Sequence, residues 1–107
     1  MASTLPEPVA RLVAAANSGD TQAFLDTFAP EGIVNDAGRL FTGRDEIQNW
    51  SDAEFIGVQV TLEVTAEITT GEYTTITATV GGEGFTGQSH FSFTVNGDLV
   101  QEMTITP

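Results

Sequence analysis

Apolar and polar residues alternate along most of the second half of the chain, the pattern of a half-buried β-strand. The longest alternating run spans residues 58–69 and is interpreted as one strand. Further strands are predicted over residues 73–80, 85–95 and 99–106, the last two joined by a hairpin at Asn96-Gly97. The face of the longest strand that we expect to be buried consists of Val58, Val60, Leu62, Val64, Ala66 and Ile68.

The first half of the chain shows apolar residues at helical spacing instead. A first helix is predicted over residues 6–17 and ends before Gly19, because glycine readily adopts the left-handed backbone of a helix C-terminus. Asp20 is a typical N-cap for a second helix, predicted over residues 21–28. A third helix, predicted over residues 44–52, carries the only tryptophan of the chain.

A short hairpin is predicted between the second and third helices. Residues 33–35 and 39–41 form its strands, and Asp36-Ala37-Gly38 forms its turn. The order of two helices, two strands, a helix and four strands predicts a single α+β domain over residues 1–107. We expect a cone-shaped, curved antiparallel β-sheet that wraps around the three helices and encloses an internal pocket, with bends at its glycine clusters.

The charge of the chain narrows the classes of partner. The 107 residues include fifteen acidic and three basic side chains, which gives a net charge of −12. This charge repels phosphate backbones and anionic lipids, so we expect no nucleic-acid partner and no membrane partner. The excess of acidic residues has two possible explanations, a solubilising surface or a source organism whose proteins are generally strongly acidic. Arg39 and Arg44 are interpreted as ion-pair partners of surface acids.

No cofactor and no metal site are expected. The chain has no cysteine and one histidine, and its scattered acids do not form a ligand cluster. It also lacks the fingerprints of phosphate-binding loops and dinucleotide-binding folds. Because no basic N-terminal region precedes an apolar segment, no secretory signal is predicted and the expected location is cytoplasmic.

The order of elements and three short motifs resemble the nuclear transport factor 2-like superfamily, and within it the SnoaL-like and ketosteroid isomerase-like proteins. The motifs are Asn17-Ser18-Gly19-Asp20, Phe41-Thr42-Gly43-Arg44-Asp45-Glu46-Ile47 and Asn96-Gly97-Asp98-Leu99. The resemblance spans nearly the whole chain and implies a cystatin-like α+β fold with an internal pocket. It specifies the fold more sharply than the activity, because this fold hosts enzymes, binding proteins and adaptors.

The resemblance to ketosteroid isomerase implies one catalytic residue. Counting from Gly19 without gaps places Asp36 at that enzyme's general base, which moves a proton beside a ketone. The oxyanion-hole tyrosine of the family corresponds to Leu12, and its second aspartate falls at or near Ser89. Neither residue is acidic enough to replace these donors, so ketosteroid isomerase activity itself is not predicted.

Asp36 has two interpretations. It can be a carboxylate in the pocket wall that performs general acid–base chemistry on a small neutral ligand. It can equally be a turn residue whose side chain caps its own loop. The residues that we expect to line the pocket and contact the ligand are Leu12, Phe28, Trp50, Ser89, Phe91, Phe93, Gln101 and Met103.

Two polar aromatic residues are expected outside the pocket. Strand alternation with Phe91 and Phe93 places His90 on the outer sheet face, although a bulge near Gly87 would turn it inward. Tyr73 is expected on the outer face by the same alternation. The resemblance implies that this face carries a homodimer contact.

Two functions remain open at this point. The chain can be an isomerase, cyclase or hydrolase that acts on an apolar ring-containing ligand with Asp36 as its acid or base. Alternatively, it is a non-catalytic binding or dimerisation module of the same fold, and an adaptor that uses the acidic surface is a third possibility. The expected ligand in the first case is a small apolar or weakly polar molecule.

Overall fold

The computed structural model describes residues 5–107, so residues 1–4 of the predicted 1–107 domain lie outside it. The order of helices and strands is the predicted one, with a short 3₁₀ turn at Ile56–Val58 in addition. The elements are α1 (Glu7–Ser18), α2 (Thr21–Asp26), β1 (Phe28–Asp36), β2 (Arg39–Thr42), α3 (Gly43–Glu54), β3 (Thr61–Thr70), β4 (Tyr73–Gly81), β5 (Gly87–Asn96) and β6 (Leu99–Thr106).

The boundary between α1 and α2 follows the predicted capping chemistry. Gly19 is left-handed with φ 71°, and the Asp20 carboxylate accepts a hydrogen bond of 3.1 Å from the Ala23 N–H. However, α2 ends at Asp26 rather than at residue 28. Phe28 instead begins β1 and pairs with β6, because its ring is wholly buried there.

The six strands form one sheet in the order β2-β1-β6-β5-β4-β3. Four of the five pairings are antiparallel, as predicted, but β1 and β6 are parallel. The sheet is curved. Within residues 5–107 its outermost strands β2 and β3 do not pair with each other, so it is not a closed barrel. The three helices pack on one side of this open sheet.

A β-bulge in β3 corrects the predicted buried face. Val64 lies opposite Ala78, whereas Ala66 lies opposite Thr77, so Thr65 is an extra residue. The alternation changes sides after Thr65, because side chains in a strand point alternately to its two faces. Ala66 is therefore exposed, and so is Ile68, with 71% of its surface accessible. The buried face thus ends at Val64, and Val58 belongs to the 3₁₀ turn instead.

The core lies between the sheet and the three helices. Its aromatic residues form a connected set in which the Phe24 ring centroid is 5.3 Å from that of Phe28 and 5.5 Å from that of Phe55. Phe55 in turn lies 6.4 Å from Phe91 on the sheet. This chain of rings joins α2, the end of α3 and the centre of β5, and two of its members, Phe55 and Phe91, line the cavity described next.

Candidate functional site

A cavity of about 400 Å³ opens where the end of α3, the β1–β2 turn and the end of β6 meet. Its wall is mainly apolar and its polar groups are few, which is the usual character of a small-molecule site. The apolar side chains that line it include Trp50, Phe55, Val60, Val80, Phe91 and Ile105. The polar side chains that line it include Asp36, Arg39, Glu54 and Ser89.

Asp36 is the last residue of β1 and lines this cavity. Val34 is wholly buried, so strand alternation places Asp36 on the same inner face two residues later. The turn that follows consists of Ala37 and Gly38, both with positive φ (53° and 99°), as in a two-residue hairpin. The Gly38 N–H donates to Asn35 Oδ1 at 2.8 Å, so Asn35 rather than Asp36 caps the turn.

Both hydrogen bonds to the Asp36 side chain are made to one oxygen. The Trp50 indole Nε1–H donates to Oδ2 at 3.1 Å, and Arg39 Nη2 donates to the same atom at 2.5 Å. Within the part of the chain that the structure describes, Oδ1 accepts no hydrogen bond. One oxygen is therefore held in place while the other is available to a molecule in the cavity.

Arg39 joins Asp36 to a second carboxylate. Its Nη2 and Nη1 atoms donate to Glu54 Oε1 and Oε2 at 2.6 and 3.0 Å, a two-point contact between guanidinium and carboxylate. These hydrogen bonds raise the pKa of Arg39, with Glu54 contributing more than Asp36. The hydrogen bond from Arg39 also lowers the pKa of Glu54, against the smaller opposing effect of burial. The prediction that Arg39 pairs with acids is confirmed.

The other arginine of this region has a different partner from the one predicted. Arg44 donates through Nε and Nη2 to the Phe28 carbonyl oxygen at 3.2 and 2.5 Å. Because Arg44 lies in the first turn of α3 beside the irregular start of β1, a backbone carbonyl lies closer to it than any surface acid. The expectation of an ion pair for Arg44 was therefore wrong, and its role is to join α3 to β1.

The Trp50 ring forms the aromatic wall beside Asp36. It stacks on Phe55 with 4.9 Å between ring centroids and an angle of 23° between planes, and it lies 6.0 Å from Phe41. The Arg39 guanidinium carbon lies 5.6 Å from the Phe41 centroid, within the range of a cation–π contact. These contacts hold the indole N–H in the direction of the carboxylate.

The structure brings some of the predicted pocket residues together and separates others. Trp50, Ser89 and Phe91 line the cavity with Asp36. Four other predicted ligand contacts do not line it, because they are at most 1% exposed and pack inside the core. These four residues are Leu12, Phe28, Phe93 and Met103.

Gln101 also lies away from the cavity, for a different reason. Val100 pairs with Val95 and Glu102 pairs with Thr94, so Gln101 is an extra residue in β6. This bulge interrupts the alternation with Met103 on which the prediction depended, and Gln101 is half-buried outside the cavity lining.

Most residues that line the cavity were not predicted, among them Glu54, Phe55 and Phe85. Glu54 and Phe55 follow the predicted end of the third helix at residue 52, but the helix continues to Glu54. Trp50 and Glu54 are four residues apart and so share a helix face, a spacing that could have identified Glu54. Phe85 was assigned to a strand, yet it lies in the loop before β5, lines the cavity and is 60% exposed.

The outer sheet face carries the remaining candidates. His90 is half-buried and its Nδ1 atom lies 3.1 Å from Thr77 Oγ1, outside the cavity lining, so the outward alternative is the correct one. Tyr73 is exposed, as predicted.

Among residues 5–107, no three histidine, cysteine or acidic side chains are grouped so as to hold a metal ion. No helix in the same range has the length and apolar character needed to span a membrane.

Known structures share this architecture. A candidate polyketide cyclase from Sinorhizobium meliloti is 27% identical, with 95% of each chain covered and a TM-score of 0.87. A protein of ketosteroid isomerase-like fold from Catenulispora acidiphila, solved in complex with trimethylamine, is 25% identical over 97% of this chain and 87% of that one, with a TM-score of 0.83. An NTF2-like protein of unknown function from Cytophaga hutchinsonii is 11% identical over 99% of this chain and 93% of that one, with a TM-score of 0.82.

The sequence comparisons identify the family. No curated protein matches the sequence significantly. The model of the SnoaL-like domain matches residues 9–103, which is most of the chain. With its NTF2-like and ketosteroid isomerase-like fold, the chain belongs to the SnoaL-like domain family.

Proposed function

We propose that this SnoaL-like domain, residues 1–107, binds a small, mostly apolar, ring-containing molecule in its cavity and that Asp36 transfers a proton to or from it. The observation that carries this proposal is that only one of the two Asp36 carboxylate oxygens is hydrogen-bonded. Its Oδ2 atom is held by Trp50 and Arg39, whereas Oδ1 has no partner in the described residues and belongs to a side chain that lines an apolar cavity. An oriented carboxylate with one free oxygen is suited to general acid–base catalysis.

The charges of the cavity favour a neutral ligand. Two carboxylates and one guanidinium line it, and the chain as a whole carries a charge of −12. An anionic ligand would meet repulsion on approach and inside the cavity. The apolar and aromatic wall provides most of the contact surface for a ring system, and the stacked Trp50 and Phe55 rings contribute to it.

The relatives support a small-molecule role. The Sinorhizobium meliloti relative is named for cyclisation of polyketides, which are ring-forming carbonyl compounds, and the Catenulispora acidiphila protein was solved with trimethylamine. Isomerisation, cyclisation and hydrolysis of such compounds each include a proton transfer that a carboxylate can perform. We therefore propose a reaction of this class.

The Asp36→Asn substitution tests the proposal. Asparagine keeps the size of the side chain and an oxygen acceptor for Trp50 but is not basic, so proton transfer should fall by about 10²- to 10⁴-fold. The measurement is hydrogen–deuterium exchange beside the carbonyl of 2-tetralone, a fused-ring ketone, followed by NMR in D₂O. Asp98→Asn, in the β5–β6 turn, is the matched control and should exchange like the wild type.

The alternative is a binding module without catalysis. It is favoured by the two donors already bound to Asp36, which occupy one of the two carboxylate oxygens. In this case 2-tetralone would quench the fluorescence of Trp50, the only tryptophan, without any accelerated exchange. Equal exchange rates for the wild type and Asp36→Asn would remove Asp36 from the mechanism.

We also propose that the chain forms a homodimer through the outer face of β4 and β5, together with Ile68 at the adjoining end of β3. Neither β4 nor β5 contains an acidic or basic residue other than His90, although the chain as a whole is strongly acidic. Ile68 and Tyr73 expose apolar surface on the same face. Two copies of a strongly acidic protein associate most favourably where ionised side chains are absent.

A further inference from the structure

The outer sheet face carries His90 near its centre. His90 is the only histidine of the chain and lies on β5, one of the two middle strands of the sheet. Ser89 and Phe91 on either side of it are buried, so His90 points to the opposite face. Histidine is the side chain whose charge ordinarily changes between pH 5 and pH 8. This face therefore contains a group that gains a positive charge in mild acid.

The side chains next to His90 carry no charge. Thr77 lies opposite it on β4 and Thr106 lies opposite it on β6, and the Nδ1 atom is 3.1 Å from Thr77 Oγ1. A hydroxyl group can donate to a neutral ring nitrogen or accept from a protonated one, so this contact is compatible with both charge states of the ring. The next side chains on the same face are Thr75, Thr79, Gln88, Ser92 and Thr104.

The other titratable groups of this face are farther from His90. Glu63 on β3 is separated from it by the whole of β4, whereas Glu102 on β6 and Tyr73 on β4 lie four residue positions along the sheet. With the usual spacings of strands and residues, their backbones are on the order of 10 Å or more from that of His90. Salt screens interactions between exposed charges at such distances. Pro107, which follows β6, lines the cavity on the inner side.

We propose that protonation of His90 dissociates the homodimer. This inference rests on the proposed dimer contact, in which the outer faces of β4 and β5 from two copies meet. Each copy brings its own His90 into the contact, where the loss of water disfavours the charged imidazole. Neither strand has an acidic residue that would compensate for this loss. The monomer, in which His90 is only half-buried, therefore binds the proton more readily than the dimer, so acid shifts the equilibrium to the monomer.

Analytical ultracentrifugation at pH 8 and at pH 5.5 tests this inference. Carboxylates ordinarily remain ionised at pH 5.5, so histidine is the main side chain that changes its charge. The dissociation constant of the wild-type dimer should rise by about 10- to 100-fold, because each subunit takes up one proton and each proton contributes up to about tenfold per pH unit. His90→Gln keeps a polar side chain beside Thr77 but is not protonated, so it should be equally dimeric at both pH values.

The double variant His90→Gln/Gln48→His is the matched control. It keeps one histidine in each chain but places it at an exposed position of α3, which packs on the other side of the sheet, so its dimer should not respond to pH. Equal weakening of the wild type and His90→Gln in acid, or no weakening of the wild type, would overturn the role of His90 and leave the proposed dimer intact. A wild type that is monomeric at pH 8 at all concentrations would overturn the dimer and this inference together.

Discussion

The different roles of Asn35 and Asp36 depend on a difference of one position in β1. Asn35 and Asp36 are adjacent, and both are residue types that cap turns. In a strand adjacent side chains point to opposite faces, so Asn35 receives the turn N–H while Asp36 turns inward to Trp50 and Arg39. A shift of one residue in the hairpin would have exchanged these roles.

The Arg39–Glu54 ion pair predicts a pH-dependent contribution to stability. Arg39 lowers the pKa of Glu54 in the folded protein, so the folded state binds that proton less tightly than the unfolded state. The contribution is complete above the unfolded glutamate pKa of about 4.3 and is lost as the pH falls through the lower folded value. Both side chains are substantially exposed to solvent, so the contribution of the ion pair to stability is small.

Urea unfolding of Glu54→Gln measures this contribution. The variant should be slightly less stable than the wild type at neutral pH, and the difference should disappear in acid. Glu63→Gln removes one acid that forms no ion pair within residues 5–107, so it is the control for net charge. A difference between wild type and Glu54→Gln that persisted in acid would show that the ion pair is not its source.

At the scale of elements, two β-bulges decide which side chains face inward. Thr65 interrupts β3 and turns Ile68 to the outer face, and Gln101 interrupts β6 and leaves the cavity lining. Period-two patterns describe a strand well until an extra residue intervenes. The position of that residue depends on the partner strand, so neither bulge is visible in the alternation of its own strand.

The connection from α3 to β3 contains a glycine whose substitution is expected to destabilise the fold. A Cβ atom at Gly57 would lie 1.6 Å from the Asp52 carbonyl oxygen, and backbone cannot move aside as a flexible side chain can. Gly57→Ala should therefore cost about 2–3 kcal/mol or more in unfolding free energy and disturb the neighbouring Phe55 in the cavity wall. Gly71→Ala, with no atom within 4 Å of its Cβ but φ 60°, should cost only about 1 kcal/mol.

Urea denaturation of the two glycine variants provides the comparison, with the emission of Trp50 as a local measure. Trp50 stacks on Phe55, so only Gly57→Ala should shift the emission of the folded protein. Equal losses of stability in both variants would mean that the close packing at Gly57 relaxes without cost.

At the scale of the whole molecule, charge and apolar surface are distributed unevenly. All fifteen acidic residues lie outside β4 and β5, the strands at the centre of the outer face proposed as the dimer contact. The exposed apolar residues Ile68 and Tyr73 lie at one end of this face. The cavity opens elsewhere, beside the β1–β2 turn, so the proposed ligand site and the proposed dimer contact lie on separate surfaces.

Ile68→Glu tests the proposed dimer by introducing a charge into the contact. We expect the wild type to sediment as a dimer and the variant as a monomer, because two like charges would be brought close at the interface. Leu40→Glu, an equally exposed position on the edge strand β2, should leave the dimer intact. Added salt should strengthen the wild-type dimer by screening its net charge. A monomeric wild type at all concentrations and salts would contradict the proposal.

The sequence by itself determined the order of helices and strands, the caps at Gly19 and Asp20, and the family resemblance that the comparisons confirm. These features depend on periodicity and on contacts between residues a few positions apart, which a linear pattern records. The sequence also indicated that Asp36 and Trp50 belong to one unit, because only a turn and one short strand separate the strand that ends at Asp36 from the helix that carries Trp50.

Only the tertiary structure decided which side chains meet. The parallel pairing of β1 with β6, the two bulges and the length of α3 together select the cavity lining, bringing Glu54 into it and excluding Gln101. The residues left in the core, such as Leu12, have the same apolar character as the cavity wall. Burial and cavity lining require the same residue types, so long-range packing rather than local pattern separates them.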